Sequence, residues 1–401
     1  MNIPKLRFKD NNGNDYPQWE KKKLGDLVSI KTGISPTNIL DEYGSIPYFK
    51  VEQLNNSNKY QINTPYKTKN NQKLIPPKSI IFPKRGISIL SNKIRILSQY
   101  SLIDTNIMAL IVKNNSTSNE FLYYFLLNED LSKIADTTSI PQINNKHIEP
   151  YNIYLPLLDE QEKIANFLTT VDKKIENLAN TITSLENQKK GLLQQIFSQK
   201  LRFKDKNGNN YPNWEKKKLG DIANSFDYGM NAPSKEFDGI NKYIRITDID
   251  EITHKFINKN IVSPNGILDN KYLVNKNDIL FARTGASTGK TYIYDTNDGI
   301  LYFAGFLIRA NIPEKYNSYF IFLNTLTQKY KNWVKIESTR SGQPGINAEQ
   351  YKSYNVFVPC LEEQTKIADF LSAFDRKLDN QKTQLEHWQQ IKKGLLQQMF
   401  V

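Results

Sequence analysis

The chain has 401 residues, of which 39% are hydrophobic and 24% are charged, so it can bury several domain cores and is not a disordered polymer. A single cysteine and three histidines exclude a disulfide framework and a zinc site built on repeated Cys/His spacing, and no metal site is predicted. No segment has the apolar length of a signal peptide core or a membrane span, so we expect a cytoplasmic protein without a membrane partner. The net charge of +13 favours a polyanionic partner, although a lysine-rich composition alone produces the same sign.

The chain is a tandem repeat. Residues 6–26, LRFKDNNGNDYPQWEKKKLGD, match residues 201–221 at 18 of 21 positions, and LPLLDEQEKIANFL at 155–168 matches VPCLEEQTKIADFL at 358–371. The sequences between these shared segments diverge, so two similar scaffolds carry two different inserts, as expected of a bivalent reader. This order predicts a first globular domain at 1–153, a first helical spacer at 154–199, a second globular domain at 200–356 and a second helical spacer at 357–401.

Both spacers are predicted to be long helices with the apolar spacing of a coiled coil. The seam positions are Ile164, Leu168, Val171, Ile175, Leu178, Ile182, Leu185, Leu192 and Ile196, then Ile367, Leu371, Phe374, Leu378, Leu385, Trp388, Leu395 and Met399. Because a globular domain separates the two helices, we expect them to pack antiparallel, as a rod of roughly 55 Å. Lys189 and Lys392 lie on the seams at equivalent positions, where a lysine either fixes the register or opens the seam near a helix end, and the second interpretation is favoured.

The excess positive charge lies outside the helices. Residues 160–197 contain five acids and five lysines, and residues 362–400 contain six residues of each sign. Subtracting the +2 of residues 1–26 and the +4 of residues 200–221 from +13 leaves +7 for the inserts. Each insert alternates short β-rich runs with turns, which predicts an α+β protein: two mixed α/β domains, joined and followed by the antiparallel helices in a pseudo-two-fold repeat.

One motif suggests an enzyme. GASTGKT at 285–291 is similar to the phosphate-binding loop of nucleotide hydrolases, but three residues separate its glycines where that loop needs four. The matching stretch of the first insert, RGISILSNK at 85–93, lacks the second glycine. We therefore predict no catalytic residues, and we retain a P-loop-like nucleotide hydrolase and a coiled-coil protein–protein adaptor as alternatives.

Two divergent domains, each entered through WEKKKLGD and followed by a helix with the pattern EQxKIAxFL, resemble the specificity subunit of type I restriction-modification enzymes. The resemblance covers essentially the whole chain. It implies two target-recognition domains that each read one half of a bipartite, asymmetric DNA target, and helices that set the spacing and dock two methyltransferase subunits. It also implies restriction subunits as partners and no cofactor of the chain itself, with S-adenosylmethionine, ATP and magnesium on the partner subunits.

The candidate DNA-binding residues lie in two segments of each insert. The segment after a predicted strand contributes Lys84, Arg85, Arg283, Thr284, Ser287, Thr288 and Lys290. The segment before the return to the helix contributes Gln142, Asn144, Arg340, Ser341, Gln343 and Asn347, and two strand ends add Lys50 and Arg245. In such a site, lysine and arginine contact phosphates while polar side chains read base edges. For docking to methyltransferase subunits we predict Glu160, Gln161, Lys163, Glu363, Gln364 and Lys366.

Overall fold

The computed structural model describes residues 4–136, 140–339 and 343–400, and the chain forms two compact units. The first unit comprises residues 1–180 and 382–401, and the second comprises residues 181–381. Each unit therefore combines one globular domain with parts of both long helices.

The first unit is built on a five-stranded sheet, which smaller sheets accompany. The strands of the whole unit are β1 (Glu20–Lys23), β2 (Val28–Thr32), β3 (Ile46–Phe49), β4 (Tyr60–Gln61), β5 (Lys67–Thr68), β6 (Ile80–Pro83), β7 (Arg95–Leu97), β8 (Leu102–Ile103), β9 (Ile107–Val112) and β10 (Asn152–Leu155). Its helices are α1 (Leu24–Leu27), α2 (Asn119–Glu129), α3 (Asn145–Ile148) and the first part of α4 (Leu158–Phe197). The main sheet has the order β2-β9-β6-β7-β4, a smaller sheet has the order β5-β3-β8, and β1 pairs with β10.

The second unit repeats this plan with a four-stranded main sheet. The strands of the whole unit are β11 (Glu215–Lys218), β12 (Ser225–Tyr228), β13 (Ser234–Glu236), β14 (Lys242–Ile244), β15 (Val262–Pro264), β16 (Asp278–Ala282), β17 (Thr291–Ile293), β18 (Leu301–Phe303), β19 (Leu307–Asn311) and β20 (Asn355–Val358). Its helices are α5 (Leu219–Ile222), α6 (Ser318–Thr325), α7 (Gln328–Glu337), α8 (Ala348–Ser353) and the first part of α9 (Leu361–Met399). The main sheet has the order β12-β19-β16-β17, and the pairs β13-β15, β14-β18 and β11-β20 accompany it.

The two units share their central topology. In each, four antiparallel strands lie side by side, β2-β9-β6-β7 in the first and β12-β19-β16-β17 in the second. A parallel pair accompanies each sheet, β3 with β8 and β14 with β18. The central strands β6 and β16 are buried along their whole length, which explains why they read as continuous apolar runs and not as alternating patterns. The predicted repeat of two mixed α/β domains is confirmed.

The aromatic-rich helices α2 and α6 supply core residues. Each is capped by a polar side chain, since Ser118 Oγ accepts from the Phe121 amide at 3.3 Å and Asn317 Oδ1 accepts from the Phe320 amide at 3.0 Å. The Phe121 ring packs in a core that also contains Leu168 of α4, and the Phe320 ring packs in the corresponding core of the second unit. The domains are therefore attached to the helices by continuous apolar packing.

The long helices run antiparallel where they meet within a unit. α4 has 40 residues and α9 has 39, which at ~1.5 Å per residue makes each about 60 Å long. In the first unit Asp172 pairs with Lys392, while Leu168, one helical turn before Asp172, shares a core with Leu396, one turn after Lys392. The predicted coiled-coil seam is confirmed. Within the described residues, no helix combines the length and the apolarity needed to cross a membrane.

The two seam lysines form ion pairs and do not open the seam. Lys392 Nζ lies 2.6 Å from Asp172 Oδ1, with both side chains 20% exposed. In the second unit Lys189 pairs in the same way with Asp375. Because the four residues occupy equivalent repeat positions, the same polar contact joins the two helices in both units. The favoured sequence interpretation was therefore wrong, since the aspartate that neutralises each lysine lies far away in the chain.

Candidate nucleic-acid interface

Two segments predicted to bind DNA in the first unit lie side by side. The chain after β6 and the chain before α3 pair through two backbone hydrogen bonds. The Gly86 amide donates to the Pro141 carbonyl at 2.9 Å, and the Ile143 amide donates to the Lys84 carbonyl at 2.8 Å. Arg85 lies opposite Gln142 in this short antiparallel ladder. We call this arrangement, residues 84–86 with 141–143, the paired loops of the first unit.

The second unit forms the same ladder with other side chains. The Gly285 amide donates to the Pro344 carbonyl at 3.0 Å, and the Ile346 amide donates to the Arg283 carbonyl at 2.9 Å. Thr284 lies opposite Gly345. The paired loops of the second unit are therefore residues 283–285 with 344–346.

A third segment joins the paired loops in each unit, and no sequence motif marks it. The Lys84 amide donates to the Asn106 carbonyl at 2.8 Å, and the Arg283 amide donates to the Phe306 carbonyl at 3.0 Å. Asn106 and Phe306 lie in the tight turns before β9 and β19. The sequence signal that was available is the aromatic Phe306 directly before an apolar strand. In the structure its side chain is 64% exposed.

The paired loops carry three cations, Lys84, Arg85 and Arg283. Within the described residues, Lys84, Arg85 and Arg283 form no ion pair. Burial, and secondarily the charge of Arg85, lowers the pKa of Lys84 below its ordinary value. The Arg283 guanidinium stacks over the Tyr228 ring at 4.8 Å and places Nη1 3.4 Å from the Gly305 carbonyl. Uncompensated positive charge of this kind favours an anionic ligand such as a phosphate.

Lys290 differs from the other predicted DNA contacts because it is buried. Its side chain is 6% exposed and its Nζ lies 2.5 Å from Glu251 Oε1. The same ammonium donates to the carbonyls of Ile249 at 3.0 Å and Ile246 at 3.3 Å. All three donors are therefore used inside the unit, and Lys290 holds residues 246–251 against the loop instead of lying on the surface as expected.

The other loop candidates of the second unit also make internal contacts. Thr288 Oγ1 donates to the Gly285 carbonyl at 2.7 Å, and Ser287 Oγ donates to Glu251 at 3.2 Å. The loop leads into strand β17 and not into a helix. A phosphate-binding loop needs a helix amino terminus and a free lysine. The nucleotide hydrolase alternative is not supported.

The remaining candidates divide into helix caps and strand ends. Asn347 caps α8, and its Oδ1 accepts from the Gln350 backbone amide at 2.9 Å. Asn144 precedes α3, and its backbone amide donates to His147 Nδ1 at 3.1 Å. Gln343 is exposed. Arg340 and Ser341 lie outside the described residues.

Lys50 and Arg245 occupy equivalent places after β3 and β14, but both are already engaged. The Lys50 ammonium lies 3.7 Å from the centre of the Tyr66 ring, and Arg245 forms a two-point ion pair with Asp248 at 2.8 and 2.9 Å. The structure does not bring these two residues into contact with the paired loops.

The residues predicted to dock partner subunits face inward. Glu160 and Glu363 are fully buried, and each accepts hydrogen bonds from an arginine and a tryptophan of the preceding shared segment. Gln161 is also fully buried, with its Nε2 donating to the Pro156 carbonyl at 2.9 Å and its Oε1 accepting from the Ser118 amide at 2.8 Å. Gln364 repeats both contacts in the second unit. These four residues do not form the exposed docking surface expected from the sequence.

The two predicted docking lysines hold the same shared segments. Lys163 Nζ donates to the Lys9 carbonyl at 3.1 Å, and Lys366 Nζ donates to the Lys204 carbonyl at 2.9 Å. The EQxKIA pattern therefore anchors the LRFKD segment to the start of its own long helix. Sequence spacing could not show this, because each contact joins residues more than 150 positions apart.

Comparison with known proteins identifies the repeat. The model of the type I restriction modification DNA specificity domain matches residues 16–187 and again residues 211–387. The MjaVIII specificity subunit of Methanocaldococcus jannaschii is 26% identical, over 97% of this chain and 94% of the relative. The EcoDI specificity subunit of Escherichia coli is 22% identical, over 87% and 79% of the two chains.

Solved structures agree on the fold. The S subunit of a type I restriction-modification system from M. genitalium superposes with a TM-score of 0.63 at 18% identity, covering 99% of both chains. A chain from a structure described as showing complex assembly and conformational transition of the type I R-M system gives a TM-score of 0.59 at 14% identity, covering 96% and 98%. With two matches to the family model across most of its length, the chain belongs to the family of type I restriction-modification DNA specificity subunits.

Proposed function

We propose that each unit reads one half of an interrupted, asymmetric double-stranded DNA target through its paired loops. The observation that carries this proposal is the backbone ladder that both units share, on which the side chains differ. The same hydrogen bonds place Lys84 and Arg283 at one position, and Arg85 and Thr284 at the next. A common frame with different reading residues is the arrangement needed to recognise two different half-sites.

The same proposal assigns the affinity and the specificity to different residues. Among the residues that the structure describes, no carboxylate pairs with Lys84, Arg85 or Arg283, so these cations suit contacts to phosphates. Gln142 and Gln343, at or beside the ladders, suit contacts to base edges. Lys290 supports the loop from inside, and we do not assign it a DNA contact.

The chain is proposed to act without catalysis and without a cofactor of its own. Methyl transfer and DNA cleavage then belong to methyltransferase and restriction subunits, which bring S-adenosylmethionine, ATP and magnesium to a cytoplasmic complex. Because Glu160 and Glu363 are buried, the docking surface for the methyltransferase subunits is proposed to lie on the outer face of the helix starts. There Leu157 is 56% exposed and Phe167 is 38% exposed.

Co-expression with the methyltransferase subunit of a related system, followed by mapping of methylated positions in genomic DNA, tests the proposed function. We expect one interrupted motif with two dissimilar halves, which is absent when the methyltransferase is expressed without this chain. A stable complex that produces no new motif contradicts the proposal and favours the protein–protein adaptor instead.

A further inference from the structure

The turn before β9 and the turn before β19 are built by the same backbone bonds. The Asp104 amide donates to the Phe49 carbonyl at 2.8 Å, and the Ala304 amide donates to the Ile244 carbonyl at 3.0 Å. Each turn is closed from the other side as well, since the Ile107 and Leu307 amides donate to the carbonyls of residues 104 and 304 at 2.9 and 2.8 Å. Asn106 and Phe306 are therefore structurally equivalent residues.

A glycine buttresses each turn. A Cβ atom on Gly33 would lie 2.0 Å from the Ile103 carbonyl oxygen, and one on Gly229 would lie 2.2 Å from the Ala304 carbonyl oxygen. Any other residue at these two positions would push the turn away from the chain that supports it. The position of the turn is therefore fixed by backbone packing in both units, while the side chain at its last residue differs.

The side chain of Asn106 is held in one orientation by a buried carboxylate. Asp104 is 8% exposed, and its Oδ1 accepts from the Asn106 amide at 2.7 Å and from Asn106 Nδ2 at 2.8 Å. A carboxylate accepts only from the NH₂ end of the amide, so the orientation of the side chain is determined. One N–H of Nδ2 and the Oδ1 acceptor remain for a ligand.

Phe306 presents a different chemistry at the same place. Its ring is 64% exposed, and its backbone carbonyl accepts from the Arg283 amide at 3.0 Å. Arg283 in turn stacks on the half-exposed ring of Tyr228. An exposed aromatic ring beside an arginine is suited to an apolar contact next to a phosphate.

We infer that Asn106 and Phe306 are base-reading residues, with Asn106 recognising adenine and Phe306 contacting the methyl group of thymine. This inference rests on the proposed function. An asparagine that offers one donor and one acceptor matches N7 and the N6 amino group of adenine, and apolar side chains contact the thymine methyl in the major groove. The paired loops would hold the DNA backbone while the adjoining turn addresses a base edge.

The test uses the complete complex with its methyltransferase subunits. Asn106→Ala removes both remaining hydrogen-bonding groups, and Phe306→Ala removes the ring. We expect Asn106→Ala to make one adenine position of the first half-site degenerate, and Phe306→Ala to do the same at one thymine of the second half-site. In binding assays, we expect the wild-type complex to prefer the native base at this position about tenfold or more, and each variant complex to show no preference there. Tyr100→Ala, at a position that is 59% exposed and lies outside this turn and the paired loops, is the control and should leave the motif unchanged.

The outcomes separate the inference from the proposed function. If the wild-type chain directs an interrupted motif and both variants direct the same motif, the inference is overturned and the proposed function stands. A first half-site without an adenine overturns the assignment of Asn106. If the wild-type complex directs no motif, both proposals fail. If a variant complex assembles normally but no longer methylates DNA, its binding to targets with the native base and with other bases is compared. An undiminished preference for the native base rejects the inference.

Discussion

Arg7 and Glu160, which lie 153 positions apart, form a two-point ion pair in the first unit. Arg7 Nε donates to Oε1 at 2.9 Å and Nη2 donates to Oε2 at 2.8 Å, while the carboxylate is fully buried. Arg202 and Glu363 form the same pair in the second unit at 3.0 and 2.6 Å. The two segments that are most similar between the repeats are therefore in contact with each other. The segments that the repeats share therefore form the contact between each domain and its long helix.

Removing the buried carboxylate should destabilise the unit that contains it. Glu160→Ala leaves Arg7 without its partner and Trp19 without an acceptor for Nε1, so we expect a loss of about 3 kcal/mol in the free energy of unfolding. Chemical denaturation of the wild-type and variant chains measures this difference. Glu162→Ala, an exposed neighbour on the same helix, is the control and should change stability by less than about 0.5 kcal/mol. Equal effects of the two variants would show that the ion pair has no structural role.

The contact between Asp172 and Lys392 should contribute coupling energy to the helix pair. Asp172 also accepts from the Tyr124 hydroxyl at 2.6 Å, so one carboxylate joins α2, α4 and α9. We expect a double-mutant cycle with Asp172→Ala and Lys392→Ala to give an interaction energy of about 1 kcal/mol, since residues in direct contact are not additive. Denaturation of the four chains measures it. Strict additivity would mean that the lysine is tolerated on the seam and does not set the register.

The long helices could be predicted from the sequence because their signal is local and periodic. Apolar residues at Leu168, Leu178 and Leu371 recur over many turns, and the structure buries them along α4 and α9. The repeat also aligned the two loops that carry Lys84 and Arg283. Local pattern could not show that these loops pair with the chain 55 to 63 residues further on, because such a ladder depends on the whole fold.

The errors in the site prediction have one physical cause. Glu160 and Lys290 are charged residues, and charged residues are exposed unless a partner neutralises them. Each has that partner, Arg7 and Glu251, at a distance in the chain that no motif records. The role inferred for Asn106 and Phe306 likewise depends on distant parts of the chain, since neighbouring backbone sets the position of their turns.

Lys290 and Arg283 should separate stability from DNA binding. Lys290→Met removes the donor to the Ile246 and Ile249 carbonyls. The Ile246 carbonyl still accepts from the Ile249 amide, whereas the Ile249 carbonyl loses its donor inside the unit, so we expect a loss of about 1–3 kcal/mol in unfolding free energy. Arg283→Ala removes a cation that pairs with no carboxylate in the described part of the chain, so we expect a change in stability of less than about 1 kcal/mol together with weaker DNA binding or a relaxed second half-site. Denaturation curves and methylation maps of the two variants check this. Unchanged affinity and an unchanged motif for Arg283→Ala would remove it from the DNA interface.

His254 should make the second unit lose stability in mild acid. Burial lowers the pKa of His254 below its ordinary value near 6.5, and Nδ1 lies 2.9 Å from the Thr291 carbonyl oxygen. Below pH 6.5 the unfolded chain therefore binds a proton that the folded chain resists, so this contribution to stability is present above pH 6.5 and is lost as the pH falls towards the folded pKa.

The loss contributed by His254 has a slope of at most about 1.4 kcal/mol per pH unit. We expect His254→Asn, which tolerates the positive φ of 57° at this position, to flatten the difference in unfolding free energy between pH 7.5 and 5.5. The exposed His387→Asn serves as the control and should keep the wild-type difference. If both variants follow the wild-type profile, the acid sensitivity arises from carboxylates and His254 titrates equally in the folded and unfolded chains.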